Sequence, residues 1–165
     1  MPAFQPTADQ FRAFRDDPYD GPIAQVNLLK FRVRAEYADS DPEHGRDEFG
    51  VVAYQRYVDA FRDAAADVGG SCLLLGEVER YFIGNGDWDA VLVMHFPSRA
   101  AFIATLNHAA YQAMHRHRSA GLLCQELITT RVRNTERGHP RPHDLTVPSV
   151  RGSSSDERLV VDRDD

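Results

Sequence analysis

Apolar residues recur along this chain with two different spacings, and the changes of spacing mark its elements. IAQVNLLKF (Ile23 to Phe31) is short and apolar-rich and reads as a strand buried on much of both faces. From Val51 the period lengthens. Tyr54, Tyr57, Val58, Phe61, Ala65 and Val68 fall at i, i+3, i+4, i+7, i+11 and i+14, one apolar stripe of a helix that Gly69-Gly70 stops. Cys72 to Ile83 reads as a strand, Asn85-Gly86 as a hairpin turn and Trp88 to Phe96 as the return strand. Ser98 after Pro97 is the expected N-cap of a helix with Phe102 and Leu106 inward. Asn107-His108 breaks that helix. A further piece carries Tyr111, Met114, His115 and Arg118 on one face until Gly121, and Leu122 to Val132 is the last strand.

Two polar stretches frame this core. Thr7 and Gln10 have the T-x-x-Q form of a capping box, so a short helix is expected over 8–15, ended by Asp17-Pro18 and Asp20-Gly21. Arg34 to Asp47 is a charged loop, longer than most, and a candidate cover for something beneath it.

The core order is β-α-β-β-α-β. The expectation is therefore an α+β, ferredoxin-like sandwich with an extra N-terminal helix (1–21), a core at 22–133 and a disordered tail at 134–165. Right-handed crossovers give the strand order 4-1-3-2. Cys72 and Cys124 then lie on opposite edges, too far apart for an intrachain disulfide. The tail mixes Pro, Gly, Ser and both charge signs, with too few large apolar residues to offset its ordering entropy. All four strands carry apolar residues at both parities, as with Val26 and Leu28 against Leu29 and Phe31. A sheet covered by helices on one face only would bury its other face against a second copy, giving a homodimer.

Composition narrows the partners. The chain has 165 residues, enough for one core, and a formal net charge of -6. An acidic chain gives no electrostatic footprint for nucleic acid or an anionic membrane. No apolar run approaches the ~20 residues of a membrane span, and the N-terminus lacks the basic start and apolar core of a signal peptide. Two cysteines without metal-type spacing fit a cytoplasmic, reducing setting.

WDAVLVMHFPSRAAF, HAAYQAMHRHRSAGL and ELITTR, with the NLLKF of the first strand, the YxxY of the long helix and the GG that follows it, resemble the family called domain of unknown function 1330. The resemblance covers roughly residues 20–132. Its most specific parts are the W-D pair, the F-P-S helix start, and Tyr111-Gln112 with Arg118 seven residues after the tyrosine. That family is similar to the dimeric α/β-barrel superfamily. The resemblance implies this ferredoxin-like fold and a range of roles: cofactor-independent monooxygenases, polyketide cyclases, lactone isomerases, haem-binding enzymes and plain ligand-binding proteins. Fold alone does not choose among these. His95 and Asn107-His108-Ala109-Ala110 depart from the family's pattern, the first standing where a residue such as Arg or Glu is expected and the second where an acidic-Pro-Glu turn often precedes the Tyr.

The candidate chemistry rests on a few polar residues. His95 near a strand end and His108 at the helix break could each move a proton near neutral pH. Tyr111 could donate to a developing oxyanion, and Arg118 could hold a carboxylate or enolate, with His115 beside them. Asn27, inside an apolar strand, either stitches a network or faces a ligand. Tyr54 and Tyr57 are expected as core or pocket wall and Trp88 at a cavity rim, while His117 falls off the helical face and is expected in solvent. Glu77, Glu79 and Tyr81 share a face of an edge strand that would solvate them. His95, His108 and His115 lack the spacing of a metal site, so no metal is assigned. Gly84-Asn85-Gly86 precedes no helix and binds no pyrophosphate. The reading is a small-molecule enzyme without a tightly bound cofactor, using His95, His108 and Tyr111 as catalysts. Asn27, Tyr54, Trp88, His115 and Arg118 would bind an apolar, aromatic or polyketide-like substrate. The alternatives are a non-catalytic metabolite-binding dimer and a haem- or metal-binding protein.

Overall fold

Thr7 accepts a hydrogen bond from the Gln10 backbone and Gln10 accepts one from Thr7, so the capping box closes and α1 (Ala8–Arg15) begins. The computed structural model describes residues 5–133; the tail expected over 134–165 lies outside them. After α1 come β1 (Ile23–Phe31), α2 (Gly50–Ala66), β2 (Ser71–Glu77), β3 (Ala90–Phe96), α3 (Arg99–Leu106), α4 (Ala109–Gly121) and β4 (Leu122–Arg131). The strands form one antiparallel sheet in the order β2-β3-β1-β4, the ferredoxin-like topology expected.

The ladder decides which row of side chains meets the helices. Ile23, Gln25, Asn27 and Leu29 of β1 stand opposite Phe96, Met94, Leu92 and Ala90 of β3, and those four are buried. The alternate row, Ala24, Val26 and Leu28 against His95, Val93 and Val91, faces away from every described helix. On the covered side the stripe of α2 (Tyr54, Tyr57, Val58, Phe61, Ala65) packs with Leu92, Met94, Phe96, Phe102 and Tyr111 into one core. Gly50 and Gly121 let α2 and α4 approach backbone to backbone. A Cβ on Gly121 would lie 2.8 Å from the Tyr54 nitrogen and nearer still to the Gly50 carbonyl oxygen.

β2 and β3 pair antiparallel as expected, but the tight turn between them is corrected. β2 stops at Glu77 and β3 starts at Ala90, so residues 78–89 form an arm rather than two strands about an Asn-Gly turn. Side chains take the groups a ladder would need. The Tyr81 hydroxyl accepts from the Trp88 nitrogen (2.9 Å), Asp89 accepts from the Phe31 nitrogen (2.7 Å), and Lys30 donates to Asp87 and Asp89 (2.7 and 2.9 Å). Glu79 and Tyr81 accordingly leave the strand on which they were expected.

The long loop does cover something. Tyr37 folds over α4, where its hydroxyl lies 2.7 Å from His117 Nδ1 and 3.0 Å from Glu48, which Arg56 clamps with both terminal nitrogens. His117 is 2 % exposed, against the expectation of solvent. The clamp holds the Glu48 carboxyl down at about 2, chiefly through the Arg56 hydrogen bonds. Burial pushes the Tyr37 phenol up to about 12.

Candidate functional site

Between the covered face of the sheet and its helices lies a cavity of about 740 Å³, within the usual range of small-molecule sites. β1 and β4 supply its floor, α2 and α4 one wall, and α3 and α1 the rest. Its lining is largely aromatic. Tyr54, Tyr57 and Tyr111 pack with tilted rings at centroid distances of 5.3 and 5.6 Å, and Phe14 of α1 meets Phe102 edge-on at 5.5 Å. α1 buries no residue of its own, yet Gln10, Phe11 and Phe14 line the cavity, so this helix acts as its roof.

The polar groups come from the helical face read in the sequence. Tyr111, His115 and Arg118 sit at i, i+4 and i+7 of α4 and all line the cavity. Tyr57 donates to the Tyr111 oxygen across 3.4 Å, which leaves the Tyr111 proton for a ligand. Burial lifts both Tyr54 and Tyr57 above the ordinary phenol value, so both stay protonated. The His115 ring lies 6.0 Å from that of Tyr111, and its Nε2 is 3.4 Å from the Gln5 amide nitrogen. Burial first, and the Arg118 charge second, lower the His115 pKa, so the imidazole is neutral near pH 7. Arg118 is itself 5 % exposed, a guanidinium held inside an aromatic wall.

The floor adds amides. Asn27 donates to the carbonyls of Leu92 (3.1 Å) and Gln25 (3.3 Å), which directs its own oxygen elsewhere. Gln25, 1 % exposed, accepts from the Thr129 hydroxyl at 2.9 Å, which leaves its Nε2 as a donor. Sequence reasoning passed over Gln25, although it is polar in an apolar strand two residues from Asn27 and so shares its face. It also left Phe11, Phe14 and Gln5 unassigned.

Not all expected residues meet there. Asn27, Tyr54, Tyr111, His115 and Arg118 line the cavity together. His95 does not, because it belongs to the outward row of β3, opposite Ala24 and Ser71. His108 is the N-cap of α4 and lies 3.3 Å from Asp67, outside the lining. Trp88 sits at the base of the 78–89 arm, also outside it. The three histidines weighed as metal ligands therefore stand in three places. Among the described residues no group of three or more His, Cys, Asp or Glu is placed to hold a metal. Cys72 and Cys124 are both free thiols, and no described helix is long and apolar enough to cross a membrane.

Known proteins agree with this architecture. The family model for domain of unknown function 1330 matches residues 51–131. The methylated RPA0582 protein is 30 % identical, with a TM-score of 0.72 over 81 % of this chain and 97 % of that one. A second structure, of the RPA0582 protein of unknown function from Rhodopseudomonas palustris, gives 29 % identity and a TM-score of 0.71 over 80 % and 98 %. No functionally curated protein matches. The α4 face with Tyr111 and Arg118 and the sheet order thus stand inside a shared fold, and the chain belongs to the family of domain of unknown function 1330.

Proposed function

We propose that this chain is a small-molecule enzyme. It would act on an apolar or aromatic substrate carrying a carbonyl or carboxylate, by acid–base chemistry of the cyclase, isomerase or cofactor-independent monooxygenase kind. The observation that carries the reading is a neutral imidazole beside a buried guanidinium and a hydroxyl pair on the wall of an aromatic cavity. His115 takes a proton from a carbon next to a carbonyl. Arg118 offsets the negative charge that develops, and Tyr111 donates to the same oxygen. Asn27 and Gln25 orient the substrate and Tyr54 packs against it. His115 thereby takes the proton-moving role first given to His95 and His108, which lie outside the cavity.

The working unit in this reading is a homodimer in the cytoplasm. Val26, Leu28, Leu74, Val91, Val93 and Ile128 form an apolar patch on the outward face, whose row also carries Lys30, His95 and Glu126, and no described helix covers it. Two such faces stacked on a two-fold axis bury one another. Two free thiols suit a reducing compartment.

A panel of aromatic keto acids and 1,3-diketones, screened by thermal shift and then by mass spectrometry for conversion, tests the proposal. A class that stabilises the protein should be converted by the wild type and bound but left unchanged by His115→Ala. Binding without conversion by the wild type would favour a metabolite-binding protein instead. No stabilisation by any member would remove the basis of both.

A further inference from the structure

We infer that residues 78–89 are a docking arm whose tip, Phe82 and Ile83, seats on a second copy of this chain in the shallow groove between Val33, Phe49 and Val51. The inference rests on the sheet-to-sheet dimer proposed above and adds to it a specific knob and socket.

The tip is anomalous on one protomer. Phe82 is 96 % and Ile83 86 % exposed, two adjacent large apolar side chains with no surface beneath them. Gly84, at a φ of 90°, turns the chain directly after them. The groove has the matching defect. It encloses about 290 Å³ beside Lys30 and Phe31, and Val33, Phe49 and Val51 stand exposed around it. Apolar clusters of this kind mark contact sites more often than open surface.

Topology brings the two together. The arm joins the end of β2 to the start of β3, and the groove lies past the end of β1. Because β3 is antiparallel to both, all of these are at one end of the sheet. A two-fold axis parallel to the strands sets the order β2-β3-β1-β4 over its reverse, so the partner's β2 and β3 lie over β4 and β1 with their ends in step. Each arm then rises beside the other copy's groove, and the contact occurs twice, as an isologous interface requires. The base of the arm already leans that way. Lys30 belongs to the outward row and holds Asp87 and Asp89 on that side.

Area argues that the sheets alone make a contact at the low end of stable interfaces. Strands of 9, 7, 7 and 10 residues, at ~3.3 Å per residue and spaced ~4.8 Å, cover roughly 520 Å² per copy, or about 1,050 Å² in total. Stable interfaces begin near ~1,200 Å². Two tips and two sockets supply the kind of surface that closes this gap.

The test uses the full chain with p-benzoylphenylalanine in place of Val51, irradiated and mapped by peptide mass spectrometry, alongside light scattering of the wild type. The expected product has twice the chain mass, with position 51 joined to a peptide from 78–89. The double variant Phe82→Asp, Ile83→Asp should weaken self-association by at least about tenfold, with an unchanged circular dichroism spectrum. A wild-type dimer whose cross-links avoid 78–89, or run to the same chain beyond Arg133, overturns the arm and leaves the dimer standing. A wild type that is monomeric throughout overturns both.

Discussion

Replacing Gly121 by Ala should destabilise this protein, although alanine ordinarily strengthens a helix. The added Cβ would sit 2.8 Å from the Tyr54 nitrogen, about 0.6 Å inside ordinary contact, and closer to the Gly50 carbonyl oxygen. Both atoms are backbone and cannot swing aside, so α2 and α4 must part. A gap of ~0.5–1 Å forfeits a quarter to a half of each dispersion contact along the seam, and overpacking of this kind costs about 1–3 kcal/mol. Helix propensity returns up to ~1 kcal/mol, leaving a net loss of roughly 1 kcal/mol. Urea denaturation followed by circular dichroism measures it. Gly76→Ala is the control: its nearest atom is 3.9 Å away, so its stability should stay within about 0.5 kcal/mol of wild type. The same parting would loosen the hydroxyl pair of Tyr57 and Tyr111, which the two helices carry. A Gly121→Ala protein as stable as the wild type would refute the backbone-contact reasoning.

Acidification should cost stability from about pH 6.5 downward, because His115 and His117 both have lowered values in the fold, burial being the larger cause in each. An unfolded histidine titrates near ~6.5, so below that pH the unfolded chain binds more protons than the native one. Thermal unfolding at pH 7.5 and 5.5 checks the sign; His117→Gln should flatten the slope, and a melting temperature that rises on acidification would contradict it. Val93→Asp puts a charge in the middle of the outward face and should give monomers by light scattering with the protomer's circular dichroism intact; a persistent dimer would move the interface elsewhere. His95→Ala, on that same face, should leave binding of the keto acids in the cavity unchanged, and a loss of binding would return His95 to the site.

The elements legible in the sequence were those fixed by local chemistry. Thr7 and Gln10 announce α1, Ser98 caps α3 with a bond to the Ala101 nitrogen, and β1 has the bounds its apolar run suggests. Tyr111, His115 and Arg118 were legible as a group because 3.6-residue periodicity places them on one face. What escaped depended on distant chain. Alternation put His95 with Val91 and Val93, but both rows of β3 are apolar, so the pattern could not say which row the helices cover. His117 lies off its helix's stripe and is buried where Tyr37, eighty positions earlier, folds over it. The pairing of β2 with β3 was legible, but the tight Asn85-Gly86 turn was not formed: the strands end at Glu77 and Ala90, and Lys30 on β1 holds Asp87 and Asp89, a tertiary contact that no local turn signal shows.

The central claim is that this cavity is where the protein binds small molecules. Its most direct measurement is an amide-shift titration of the isotope-labelled full chain with an aromatic keto acid such as phenylpyruvate. Saturable shifts should concentrate at Gln25, Asn27, Tyr57, Tyr111, His115, Arg118 and Thr129 and spare His95 and Trp88. Shifts confined to the outward face of the sheet, or none at any concentration across the keto-acid panel, would contradict it.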